Sequence, residues 1–226
     1  MKLVIFDCDG TLVDSQHMIQ AAMEFAFEGI GMAPPSRAAV LRVVGLSLPE
    51  AFSVLVPETE ERLRTELVHR YKSAFPMVPS GVVIRDVLFP GAKEAVEALA
   101  RREEVVLGIA TGKSRRGVVR LFDQEDWHRH FHTIQTADDH PSKPHPSMIE
   151  AAMSDAGVGP EATVMIGDTT YDIQMGRNAG VSTIGVTWGY HSPGELKAAG
   201  ADGLVEHFGA LEAAIERLLG RRRPAA

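Results

Sequence analysis

Asp7 and Asp9 stand two residues apart in the stretch Val4-Ile5-Phe6-Asp7-Cys8-Asp9-Gly10-Thr11-Leu12, behind an apolar run and ahead of a Gly-Thr turn. Two carboxylates held that close repel each other, and both stay ionised only where a cation, solvent or strong hydrogen bonds compensate. The pair predicts a charged partner. Three later segments carry polar groups that could join it: Thr111-Gly112-Lys113, Ser142-Lys143-Pro144 and Gly167-Asp168-Thr169-Thr170-Tyr171-Asp172.

The elements that must position these groups follow from hydrophobic spacing. Residues 2–7 form a β-branched and aromatic run bounded by Asp and Gly, which predicts a buried strand. Residues 104–110, 163–167 and 182–187 are short and apolar on both faces, with weaker strand patterns at 132–136 and 203–206. Between strands the period turns helical. Residues 92–100 place Val96 and Leu99 on one face, and residues 208–219 repeat Phe208, Leu211, Ile215, Leu218 and Leu219. This alternation predicts a parallel sheet covered on both sides. Ligands of such sheets bind beyond the carboxyl ends of the strands, so the four polar segments should converge on one crevice.

Residues 15–80 break the alternation. They carry helical patterns at 18–30, 38–44, 48–55 and 60–75, where Leu63, Leu67 and Tyr71 form a stripe, and no strand pattern. The expected organisation is an α/β chain: a Rossmann-like parallel sheet core from residues 1–14 and 82–226, with a small all-helical second domain, 15–81, inserted after the first strand. The hinges are expected at 14–16 and 76–81, the latter rich in Pro and Gly.

The four segments, in their order and spacing, resemble the four signature motifs of the haloacid dehalogenase superfamily, and the helical insertion resembles the cap of its phosphoglycolate phosphatase-like branch. The resemblance implies a Mg²⁺-dependent phosphatase acting on a small phosphorylated metabolite. Asp7 would be the nucleophile, since a carboxylate that attacks phosphorus divides a very slow displacement into two easier ones. Asp9 would give a proton to the leaving oxygen and later take one from water. Mg²⁺ takes oxygen ligands, here from Asp7, Asp168 and the backbone carbonyl of Asp9, the last implied by the family. Thr111, Gly112 and Lys143 would bind and stabilise the phosphoryl group. Asp172 is expected beside the metal's water shell or the lysine rather than as a ligand. In the cap, Gly45 could turn backbone toward the crevice, and Arg42 could pair with an anionic leaving group.

Composition narrows the alternatives. The 226 residues, 45% of them apolar, can bury a proper core, and 23 basic against 30 acidic residues leave a net charge of −7, unsuited to a general nucleic-acid or anionic-membrane surface. One cysteine, Cys8, excludes an intramolecular disulfide framework and fits a reducing compartment. No apolar stretch reaches the roughly 18 residues of a membrane span, nor does the start of the chain read as a secretory signal. The expectation is a cytoplasmic protein, monomeric or weakly dimeric. His128, His130 and His132 alternate, but no other ligand type is interleaved and Arg129 would repel a cation, so they read as a solvated loop or strand edge. Rival readings are a phosphomutase of the β-phosphoglucomutase kind, which would hold a second phosphate under the cap, and an inorganic pyrophosphatase. Dehalogenation is disfavoured by the acid at Asp9. A catalytically inactive binding module would have lost one of Asp7, Asp9, Lys143 or Asp168, and all four are present.

Overall fold

The computed structural model describes residues 1–74 and 85–220. Six strands, β1 Lys2–Phe6, β2 Val105–Thr111, β3 Phe131–Thr136, β4 Thr163–Gly167, β5 Ser182–Val186 and β6 Gly203–Val205, form one parallel sheet in the order β3-β2-β1-β4-β5-β6. The chain builds outward from β1 to β3 on one side, then returns to lay β4 to β6 on the other. The order therefore reverses between β1 and β4, the place where such sheets open a crevice.

Side chains alternate across the sheet as the strand period requires. Val4 and Phe6 enter the larger apolar cluster with Val96 and Leu99 of α5 (Ala92–Ala100), Phe122 of α6 (Arg115–Glu125) and Ile215 of α10 (Leu211–Leu219). Leu3 and Ile5 enter the cluster on the opposite face with Met148 and Ile149 of α7 (Ser147–Ala156) and Met175 of α8 (Thr170–Asn178). Both faces of β1 are thus covered, which is why its sequence is apolar without alternation.

Residues 15–74 form α1 (Gln16–Glu28), α2 (Arg37–Val43), α3 (Leu48–Leu55) and α4 (Glu61–Ala74). They gather around their own apolar cluster, in which Phe27 and Phe52 meet at 6.0 Å between ring centroids and Leu67 is fully buried. The helical spacing placed each of these helices to within two residues. The C-terminal helix is shorter than its apolar repeat suggests: Phe208–Ala210 is a 3₁₀ turn and α10 starts at Leu211. The expected hinge at 76–81 lies outside the described residues.

Candidate active site

Asp7 continues β1 by one residue, its N–H donating to the Ile166 carbonyl at 2.9 Å. That bond fixes its side chain at the carboxyl end of the two central strands. Cys8 turns the other way, into the larger apolar cluster, and its N–H holds Asp7 Oδ1 at 2.7 Å. Gly10 then reverses the chain at φ +85°; a Cβ there would lie 2.3 Å from Asp168 Oδ2, so only glycine lets the loop close over that carboxylate. Trp188 anchors the same loop, its Nε1–H donating to the Thr11 carbonyl at 3.0 Å.

Asp168 leaves the end of β4 fully buried. Its Oδ1 accepts from Thr11 Oγ1 at 3.0 Å and its Oδ2 from the Tyr190 N–H at 2.8 Å. Asp172 stands on the first turn of α8, where it forms a reciprocal cap with Thr169 through Oδ2. Its Oδ1 accepts from Lys143 Nζ at 2.6 Å. Lys143 is itself fully buried and places the same Nζ 3.0 Å from Asp7 Oδ2. Three segments distant in sequence therefore meet within one ammonium's reach.

Asp7, Asp168 and Asp172 bring carboxylate oxygens within 4.8 Å of one another, all three buried. Three buried carboxylates gathered near one lysine offer hard oxygen donors in excess of the local positive charge, a set that suits Mg²⁺. Burial pushes the Asp7 carboxyl up to about 6 against the pull of Lys143. Burial, then Asp172 and Asp7, push Asp168 well above the ordinary carboxylate range. Burial opposes the charge on Lys143, but Asp172 and Asp7 outweigh it and raise its pKa. Asp7 Oδ2 faces the Lys143 ammonium at 3.0 Å. The residues present thus fit a divalent cation, with the carboxylates of Asp7, Asp168 and Asp172 as its candidate oxygen donors.

Asp9 lies on the other side of the loop. Its Oδ1 accepts from Lys113 Nζ at 2.7 Å, and Lys113 also lies 3.4 Å from Asp86 Oδ1. Asp86 is clasped by Arg120 through two bonds of 3.1 and 3.2 Å. Sequence reasoning assigned no role to Lys113, Asp86 or Arg120. Lys113 had a local signal, its place directly after Thr111-Gly112; Asp86 had none, because both its cations are far away along the chain.

Between α1–α4 and the strand ends lies a cavity of about 120 Å³, lined by Asp7, Asp9, Thr111, Gly112 and Lys113 on one side and by apolar residues of the helical segment on the other. The helical segment is seated closely. A Cβ on Gly112 would come within 2.8 Å of the Gly45 carbonyl and 2.9 Å of the Leu46 carbonyl, and Ser47 N–H donates to Ser142 Oγ at 2.8 Å. Gly45, at φ +98°, lines the cavity as expected of a turn facing the crevice. Arg42 does not. Its side chain is 74% exposed and pairs with Glu195 at 3.3 Å on the outer surface, because the helical turn that points Val43 inward carries Arg42 away from the cavity. His128 and His132 diverge as well, toward Asp123 Oδ1 and the Asp155 carbonyl.

The family model for haloacid dehalogenase-like hydrolases matches residues 4–186. The "Probable phosphatase IndB" of Dickeya dadantii is 36% identical, with 96% of this chain and 94% of that protein covered. The "Pyrophosphatase PpaX" of Oceanobacillus iheyensis is 30% identical over 91% of this chain and 92% of its own. Among solved structures, a hydrolase from Pseudomonas syringae superposes with a TM-score of 0.82 at 25% identity, covering 96% of this chain and 99% of that one. No helix among the described residues is long and apolar enough to cross a membrane. The chain belongs to the haloacid dehalogenase-like hydrolases.

Proposed function

We propose that the chain is a Mg²⁺-dependent phosphatase that cleaves a small phosphate monoester through an aspartyl-phosphate on Asp7. The observation that carries this reading is the division of labour within the Asp7–Asp9 pair. Asp7 has one oxygen fixed by the Cys8 N–H and the other ion-paired with Lys143 at 3.0 Å, while Asp9 lines the same cavity on a separate cation, Lys113. One carboxylate is held for attack, and the other is held in the same cavity by a cation of its own.

In the first step Asp7 Oδ2 forms a bond to phosphorus as the bond to the leaving oxygen breaks, and Asp9 delivers its proton to that oxygen so that an alcohol departs. In the second, water attacks phosphorus, Asp9 takes the water's proton, and inorganic phosphate leaves with the Asp7 carboxylate restored. Lys143, Thr111 Oγ1 and the Gly112 N–H bind and stabilise the transferring phosphoryl oxygens. Mg²⁺, held by Asp7, Asp168 and the backbone carbonyl of Asp9, would neutralise charge as two anions approach. Asp172 keeps Lys143 in place. The helical segment serves as a cap domain, 15–81, that shields the reaction from water.

Phosphate release from an ester panel, with and without Mg²⁺, tests the reading. Asp7→Asn should abolish turnover and phosphoenzyme formation. Asp9→Asn should slow alkyl phosphates more than activated aryl phosphates, which need less acid assistance. Turnover by Asp7→Asn, or equal losses for both ester types in Asp9→Asn, would remove these roles. Pyrophosphate hydrolysis is a second reading, favoured by the pyrophosphatase among the relatives, and belongs in the same panel.

A further inference from the structure

The cavity wall that faces the catalytic carboxylates is apolar, and part of it has no other use. Met18 on α1 and Leu46 in the loop between α2 and α3 both line the cavity and are half-buried. Their neighbours on the same wall, Ile19, Val44 and Leu48, also pack into the helical segment's own core. Met18 and Leu46 pack into none of the three apolar clusters. An apolar side chain that supports no core and borders a cavity is stabilised only when another apolar surface covers it.

The cations opposite are already matched. Lys113 is paired with Asp9 and Asp86, and Arg120 with Asp86. A carboxylate or second phosphate on the leaving group would have to compete with those partners. Lys72 and Arg116 line the cavity without an ion pair among the described residues, but both are exposed. Solvent screens a fixed pair there, and the two suit attraction of a phosphate dianion toward a chain of net charge −7. A volume of about 120 Å³ accommodates roughly four water-sized groups at liquid density, which suits a compact occupant.

We propose that the substrate's leaving group is an uncharged alcohol with a compact apolar body, aryl-substituted or branched alkyl, rather than a carboxylate-bearing or phosphate-bearing one. The proposal rests on the phosphatase reading above and narrows it.

The experiment compares kcat/KM for 2-phenylethyl phosphate, isopentyl phosphate, ethyl phosphate, phosphoglycolate and pyrophosphate, with p-nitrophenyl phosphate as a reactive reference. The first two should exceed phosphoglycolate and pyrophosphate by about tenfold or more. Met18→Gln and Leu46→Gln should each lower kcat/KM for 2-phenylethyl phosphate by roughly fivefold, the scale of one buried methylene or more, while changing ethyl phosphate less than about twofold. Preference for phosphoglycolate, or variants that slow ethyl phosphate equally, overturns the inference and leaves the phosphatase reading intact; preference for pyrophosphate overturns the inference and favours the second reading. No phosphate release from any compound, the reactive reference included, overturns the phosphatase reading itself. The wild-type panel decides the matter even where a variant folds poorly.

Discussion

Lys113 Nζ sits 2.7 Å from Asp9 Oδ1 and 3.4 Å from Asp86 Oδ1, so the carboxylate proposed for proton transfer shares its cation with a buried acid just before α5. Gln124 brackets Asp86 by accepting from its N–H at 2.9 Å and donating to its carbonyl at 2.7 Å. The acid is therefore fixed in backbone as well as side chain, and Lys113 has little freedom to leave Asp9.

Removing one charge from such a network leaves the others buried and unmatched. Asp86→Asn should lower the unfolding free energy by about 3 kcal/mol, since both Lys113 and Arg120 lose an anion. Asp9→Asn should cost less, because Asp9 is partly exposed and Lys113 keeps Asp86. Reversible urea denaturation measures both, and an Asp86→Asn protein within about 0.5 kcal/mol of wild type would show that the network carries no stability.

The Asp7 carboxyl, raised from 3.8 to about 6 chiefly by burial, makes stability and metal affinity depend on pH. A raised carboxyl favours the folded state fully below its unfolded value, and that contribution is lost as pH rises through about 6. The rise corresponds to about 3 kcal/mol. Asp168, raised also, acts in the same direction. Metal-free protein should therefore lose thermal stability between about pH 4 and 6.5, and saturating Mg²⁺ should flatten the upper part of that decline. Below about pH 6 the metal must displace a proton, so its apparent affinity should fall up to about tenfold per pH unit. Calorimetric titration of Mg²⁺ at pH 5, 6 and 7.5 reads this directly; an affinity independent of pH would place the proton elsewhere.

The parts of this architecture carried by local pattern were legible in the sequence. β1 is apolar on both faces because two layers of helices cover it, and that pattern needs no knowledge of its neighbours. The convergence of Asp7, Lys143, Asp168 and Asp172 was legible because each stands at a strand end or in the loop that follows, and a parallel sheet brings such ends together. Arg42 was misread for the complementary reason. Its spacing from Gly45 says that it lies one turn away, but not which way α2 is rotated about its axis; packing of Val40 and Val43 into the buried interior settles that. The Asp86–Lys113 contact spans 27 positions and follows only from the fold.

Gly112 faces backbone rather than flexible side chains, with the Gly45 and Leu46 carbonyls 2.8 and 2.9 Å from where a Cβ would stand. Gly112→Ala must then push the α2–α3 loop away from the strand ends. Displacements of this order cost about a hundredfold where groups must be aligned, so kcat/KM should fall by one to two powers of ten. Gly194→Ala serves as the control, because the nearest atom beyond its chain neighbours, Ser192 Oγ, is 4.0 Å from the added Cβ. Equal activity of both variants would mean that the loop yields without consequence for the site.

Arg42 supplies the last expected outcome. Its guanidinium pairs with Glu195 of α9 (Pro193–Ala198) at 3.3 Å in solvent, while its backbone carbonyl accepts from the Tyr171 hydroxyl at 3.2 Å. The carbonyl contact survives any side-chain substitution, so the tie between α2 and α8 persists in Arg42→Ala. What is lost is one exposed ion pair, a contribution of at most about 1 kcal/mol. The variant should therefore keep kcat/KM within about fivefold of wild type, and by the same factor for phosphoglycolate as for p-nitrophenyl phosphate. The loss should also shrink in 0.5 M salt, which screens the pair. A selective loss with phosphoglycolate would instead mean that Arg42 swings inward to read an anionic leaving group, and would count against the apolar pocket as well.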